Sequence, residues 1–162
     1  MPADETVISR AMFSRRPLKP IADPRPMERL PERIWSDADW ERIRRGYAAR
    51  DMDEKWHVIT EEHVVHLHRS WTGKGIYTAD FAPVEDGWRI VSAVAQRRRV
   101  PADTDDAYDR VMLELVMSSI VLGEPAADLR SALVELTREN SGSDDVAGGV
   151  VLHSSLGLRS DS

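Results

Sequence analysis

Between His66 and Thr72 the chain sets two histidines, an arginine, a serine, an indole and a threonine within seven positions, and Lys55 and Trp56 stand one short strand earlier. Imidazole titrates near neutrality and ligates metals. A guanidinium holds anions in a two-pronged grip, and an indole stacks on planar groups or on cations. Lys55, Trp56, His68, Arg69, Trp71 and Thr72 are therefore the candidate ligand-binding residues. Gathered at one end of a sheet, they offer cations, indoles and a hydroxyl to an anionic or planar group. The competing reading is structural: the same residues lock the loop before the first strand onto the sheet.

Alternation along the second strand sends Val65, Leu67, Arg69 and Trp71 to one face and Val64, His66, His68 and Ser70 to the other. Arg69 then ends the core face, where burial of a guanidinium demands a carboxylate or carbonyls; Asp51, Asp53 and Glu54 are the candidates. His66 and His68 could aim two imidazoles at one metal, but the site needs a third ligand, from Asp80 or His57, so no metal is assigned. "TGKG" lacks the loop length and the Ser or Thr of a phosphate-binding P-loop and reads as a hairpin turn. Ser70 is outside any Gly-x-Ser-x-Gly elbow. The acid pairs Glu61–Glu62 and Asp105–Asp106 are explained by a turn and a helix start. No catalytic residue and no cofactor is assigned.

These side chains need a scaffold. From Trp56 to Gln96 the apolar period is two, with strands at "WHVIT", "HVVHLHRS", "IYTADF" and "WRIVSAVAQ" joined by short polar connectors. Ahead of them Ser36 caps a short helix, with Asp39 as a shortened capping-box acid, Trp40, Ile43 and Tyr47 on one face, and Gly46 as its stop. Behind them a helix runs from a Thr104 cap to Gly123. Its stretch from Val111 to Leu122 is apolar on most sides, which places it centrally or against another subunit. A last helix starts at Pro125 and turns Leu129, Leu133 and Leu136 inward. The predicted fold is α+β: about four antiparallel strands in a meander, with one short N-terminal helix and two C-terminal helices packed on one face.

Six of the nine prolines fall in the first 31 residues, interleaved with arginines. Residues 1–30 accordingly read as a mobile Pro/Arg-rich arm, 31–140 as one domain, and 141–162 as a tail that either adds an edge strand at Val150 to His153 or stays loose. Residues 1–50 carry net +3 against a chain total of −6. The acidic body argues against nucleic acid as a partner, and the basic run Arg97 to Arg99 lacks the interleaved aromatics of a strand-binding platform. With no cysteine, disulfides, thiolate metal sites and a cysteine nucleophile are excluded. No apolar run approaches the roughly 18 residues of a membrane span, and a cytoplasmic location is expected.

The motifs "ERIRRGY", "DMDEKW", "HRSWTG", a following "IY" and a helix ending in "VLG" resemble a small family of uncharacterised bacterial proteins. That family shares a Met-Asp-Asp-Lys-Trp and a His-Arg-Ser-Trp-Thr-Gly signature, and the resemblance covers residues 31 to 124. It implies no activity. On the residues themselves, the leading expectation is a non-catalytic binding or accessory protein. It would engage a protein partner through the basic arm or the helix from Val111 to Leu122, or self-associate through that helix as a homodimer. The alternative is an enzyme or binding module for a nucleotide-like or phosphorylated small molecule that uses Arg69, Lys55 and His68.

Overall fold

The computed structural model describes residues 7–13, 15–51, 53–97, 107–141 and 156–157. Its elements are β1 (Pro24–Pro26), α1 (Asp37–Arg45), β2 (Trp56–Glu61), β3 (Val64–Arg69), β4 (Gly75–Val84), β5 (Gly87–Gln96), α2 (Ala107–Leu115) and α3 (Ala127–Ser141). The five strands form one antiparallel sheet in the order β1-β5-β4-β3-β2. The α+β class and the meander of four strands are as expected. The fifth strand, β1, is an addition supplied by the segment read from sequence as an arm.

The alternating pattern of β2 to β5 sorts the side chains. Val58, Val65, Leu67, Tyr77, Ala79, Phe81, Ala93 and Ala95 are buried in the core beneath the helices. On α1 the capping box forms: the Asp39 N–H donates to Ser36 Oγ at 3.0 Å, and the Asp39 carboxylate accepts from the Ser36 N–H at 3.4 Å. This fixes the entry of Trp40 and Ile43 into the core. Gly46, at φ +80°, ends the helix. Tyr47 then pairs with Val58 and carries the chain back to the sheet.

After Leu115 the helical path widens into a π-helical segment, Val116–Val121, before Gly123 at φ +74°. Residues 111–113 and 115–122 are all buried within the chain, packed among the sheet, α1 and α3. The apolar excess is thus absorbed within the chain. Asp109 of α2, 1% exposed, receives Arg25 Nη2 and Tyr77 Oη, both at 2.7 Å. One carboxylate therefore ties α2 to both β1 and β4. Leu133 is the buried centre of α3, flanked by half-buried Leu129 and Leu136. No helix of the described residues is long and apolar enough to cross a membrane.

The described part of the N-terminal segment lies on the opposite face of the sheet. Phe13 packs on the His57 ring at 4.5 Å, and Leu18 is buried. The Lys19 N–H donates to the Gly73 carbonyl, and the Lys19 carbonyl accepts from the Gly75 N–H. The Gln96 side chain accepts from the N–H groups of Ala22 and Asp23. These bonds explain how a proline-rich stretch docks: its few N–H groups meet fixed acceptors at the β3–β4 turn and on β5. Leu156 and Gly157 dock on the loop before β2, where Gly157 pairs with Glu54. The expected Thr104 cap, Arg98, Arg99 and the edge strand at Val150 to His153 lie outside the described residues.

Candidate functional site

On the core face, Trp56 of β2 and Arg69 of β3 are direct partners in the ladder. The Arg69 guanidinium carbon lies 4.8 Å over the Trp56 ring, and Tyr77 lies near-parallel to the same ring at 6.1 Å. Burial pulls the Arg69 pKa below its ordinary value, and Tyr108 and Tyr77 act in the opposite direction. Of the acids expected near Arg69, Glu54 is fully buried. It accepts from the Arg50 N–H at 2.7 Å and from Arg50 Nη2 at 3.3 Å. Arg50 also donates to Tyr47 Oη, and burial pushes the Tyr47 phenol up to about 12. Asp51 turns its carboxylate onto the Asp53 N–H. Together these bonds brace the described residues of the loop before β2.

At the end of the hairpin the ladder continues past β3. The Ser70 N–H donates to the Lys55 carbonyl, and Ser70 Oγ donates to the Glu54 carbonyl at 2.7 Å. Trp71 projects outward and is 55% exposed, with Lys55 Nζ 5.3 Å from its ring centre. Thr72 Oγ1 accepts from the Lys74 N–H within the turn. Beside Trp71 lies a recess of about 460 Å3 walled by Arg16, Arg50, Asp51, His57 and Ser70. His57 Nδ1 accepts from the Ala49 N–H at 3.0 Å; burial lowers its pKa, and a hydrogen bond to the Ser70 backbone opposes that shift.

The outer face carries His66 and His68. His68 Nδ1 lies 3.0 Å from the Gly73 carbonyl; a carbonyl only accepts, so Nδ1 holds the proton. Its Nε2 is buried and has no hydrogen-bond partner among the described residues. His66 Nε2 sits 3.2 Å from Glu61 Oε1, which also takes Arg10 at 2.9 Å. Burial lowers the pKa of both histidines. The two rings are 6.4 Å apart, and the Asp80 carboxylate is taken by the Ser92 hydroxyl. Among the described residues no three His, Asp or Glu side chains converge as metal ligands.

The candidate residues thus fall into three places. Trp56 and Arg69 meet in the core, and Lys55 and Trp71 meet at the rim, where Thr72 braces the turn. His68 faces the other side of the sheet. Arg16, which walls the recess beside Trp71, and Arg10, which pairs with Glu61, carry no local sequence signal for these places, because only tertiary docking of the N-terminal segment brings them there. The buried Asp109 could be read only as a helix-start acid. Compared with known proteins, the chain matches no family model, no curated protein and no solved structure.

Proposed function

We propose that this chain is a non-catalytic binding protein that engages an acidic protein partner through the rim around Trp71. The observation that carries the reading is an indole 55% exposed at the end of a rigid hairpin, with the Lys55 ammonium over it and Arg16 and Arg50 in the adjoining recess. Tryptophan and arginine dominate interface hot spots, and cations around them select an acidic surface. The other polar groups nearby hold the fold: the Ser70 hydroxyl on the Glu54 carbonyl, His57 on the Ala49 N–H, and Glu54 on Arg50.

The test compares the intact chain with Trp71→Ala and Lys55→Ala. A partner captured from the native cell by the intact chain is identified, purified and titrated against all three. The expected outcome is a loss of about 2 kcal/mol or more, roughly 30-fold in Kd, for Trp71→Ala, with binding that weakens as salt rises. Equal affinity of Trp71→Ala and the intact chain overturns the reading.

The recess itself favours one second reading, a nucleotide-like small molecule stacked on Trp71 with its phosphate toward Arg16, Arg50 and Lys55. Arg69 and His68 face opposite sides of β3, so they do not clamp one ligand together. Thermal stabilisation by nucleoside phosphates that disappears in Trp71→Ala supports this reading; no shift across the panel removes it.

A further inference from the structure

A second recess, of about 770 Å3, lies at the other end of the β2–β3 hairpin from Trp71, lined by residues of the β2–β3 turn, of α1 and of the start of β5. Its aromatic wall is Trp40, Trp88 and His63. Trp40 and Trp88 stack at 4.5 Å, and the His63 ring stands nearly perpendicular to both, 5.0 Å from Trp88 and 6.1 Å from Trp40. These distances describe a triangle and not a row, so the imidazole stands beside the stacked pair. Backbone seats each ring: Trp40 follows the capping box of α1, Trp88 exchanges two bonds with Trp35, and the His63 carbonyl accepts from the Phe81 N–H. Trp40 is buried, Trp88 half-buried and His63 exposed, so Trp88 and His63 offer most of the ring surface.

Three of the chain's five indoles hold a cation of their own: Arg33 lies 4.0 Å from the Trp35 ring centre, Arg69 4.8 Å from Trp56 and Lys55 5.3 Å from Trp71. Trp40 and Trp88 have none among the described residues. Carboxylates line their recess instead. Glu41 neutralises Arg44 at 2.8 Å, while Asp37 and Glu62 have no hydrogen-bond or ion-pair partner among the described residues. We infer that this recess binds the methylated ammonium group of an organic cation, held against Trp88 and His63, with Asp37 and Glu62 supplying the balancing charge. The negative face of an aromatic ring attracts a cation. Indoles offer no acceptor to the three donors of a primary ammonium, whereas a quaternary ammonium has no donor to satisfy and is the better match. An anion is opposed by the two unpaired carboxylates. The recess shares no residue with the rim around Trp71, so this site stands apart from the one proposed there.

The probes are choline and the neutral alcohol in which a tert-butyl group replaces its trimethylammonium, so that shape is kept and charge removed. Choline is expected to shift the Trp88 indole N–H resonance saturably and to bind roughly tenfold tighter than the neutral alcohol. Trp88→Leu should abolish binding, and Trp71→Ala should leave it unchanged. If Trp88→Leu fails to fold, the double variant Asp37→Asn with Glu62→Gln decides, because both side chains are exposed. It should weaken choline about threefold or more and leave the neutral alcohol unaffected. A trimethyllysine peptide that binds tighter than choline supports the site and assigns its ammonium to a protein side chain; the reverse order supports it and assigns a free small molecule. An unmoved Trp88 resonance overturns the inference. So does equal affinity for choline and the neutral alcohol, which would mark a plain apolar void, and so does loss of choline binding in Trp71→Ala.

Discussion

Trp56 and Arg69 stand opposite each other on β2 and β3, with the guanidinium carbon 4.8 Å above the indole ring. A desolvated cation–π contact is worth roughly 1–2 kcal/mol. The contact is read from a double-mutant cycle of Trp56→Leu and Arg69→Met followed by urea unfolding. Trp56→Leu alone should cost about 2–4 kcal/mol through lost packing. The coupling between the two sites should come out near 1–2 kcal/mol in favour of the native pair. A coupling of zero means that the two side chains share a place in the core without sharing energy.

The same pair shows how far the sequence could be read. Alternation alone puts Arg69 on the core face and His66 and His68 on the other, and that is their arrangement. Nearness to one end of a hairpin is a different matter from sharing a face, and for that reason the six candidate residues divide among core, rim and outer face. The strands, the capping box at Ser36 and the turn at Gly73 are local features, written in neighbouring residues. The docking of Lys19 on Gly73 and of Arg25 on Asp109 spans more than 50 positions and depends on tertiary packing that no local pattern reports. The proline content also pointed away from order, since it shows lost donors and not the side-chain and carbonyl acceptors that hold the remaining ones.

Asp109 accepts from Arg25 and from Tyr77 in a buried setting. Loss of one charge from such a buried pair costs about 3–5 kcal/mol. Asp109→Asn should therefore lower stability by about that amount, and Tyr77→Phe by about 1 kcal/mol, the net worth of one hydrogen bond. Both are measured by chemical denaturation near neutral pH. If Asp109→Asn stays within the smaller figure, the carboxylate is not what holds β1 and α2 to the sheet.

His57, His66 and His68 all have folded pKa values below the ordinary 6.5, in each case chiefly because burial disfavours the charged ring. The unfolded chain therefore binds more protons as pH falls below 6.5, and folding loses stability in that direction. The stability these rings contribute is fully present above 6.5 and declines as pH drops toward their folded values. Glu114, raised by burial from 4.5, contributes with the opposite sign. The clean comparison is thus between the intact chain and His68→Asn, in which Glu114 is unchanged. The intact chain should lose more stability than the variant between about pH 7.5 and about pH 5.5. Parallel profiles would show that His68 does not resist protonation in the fold.

At Gly75 the N-terminal segment lies close against the sheet. A Cβ there would lie 2.9 Å from the Lys19 carbonyl oxygen and 3.0 Å from the Ile21 nitrogen. Both nearest atoms are backbone of the N-terminal segment, so Gly75→Ala must push that segment outward. Overpacking of this kind costs about 1–3 kcal/mol. The push should loosen the segment first, because β4 is held on both sides by β3 and β5 while the segment depends on a few bonds. Limited trypsin digestion followed by mass spectrometry should show cleavage after Arg10 or Arg15 faster than in the intact chain, with residues 53–97 still protected. The recess beside Trp71 would change with it, since Arg16 is one of its walls. Unaltered cleavage rates in Gly75→Ala would mean that the segment tolerates displacement, and that its contact at Lys19 is not what seats it on the sheet.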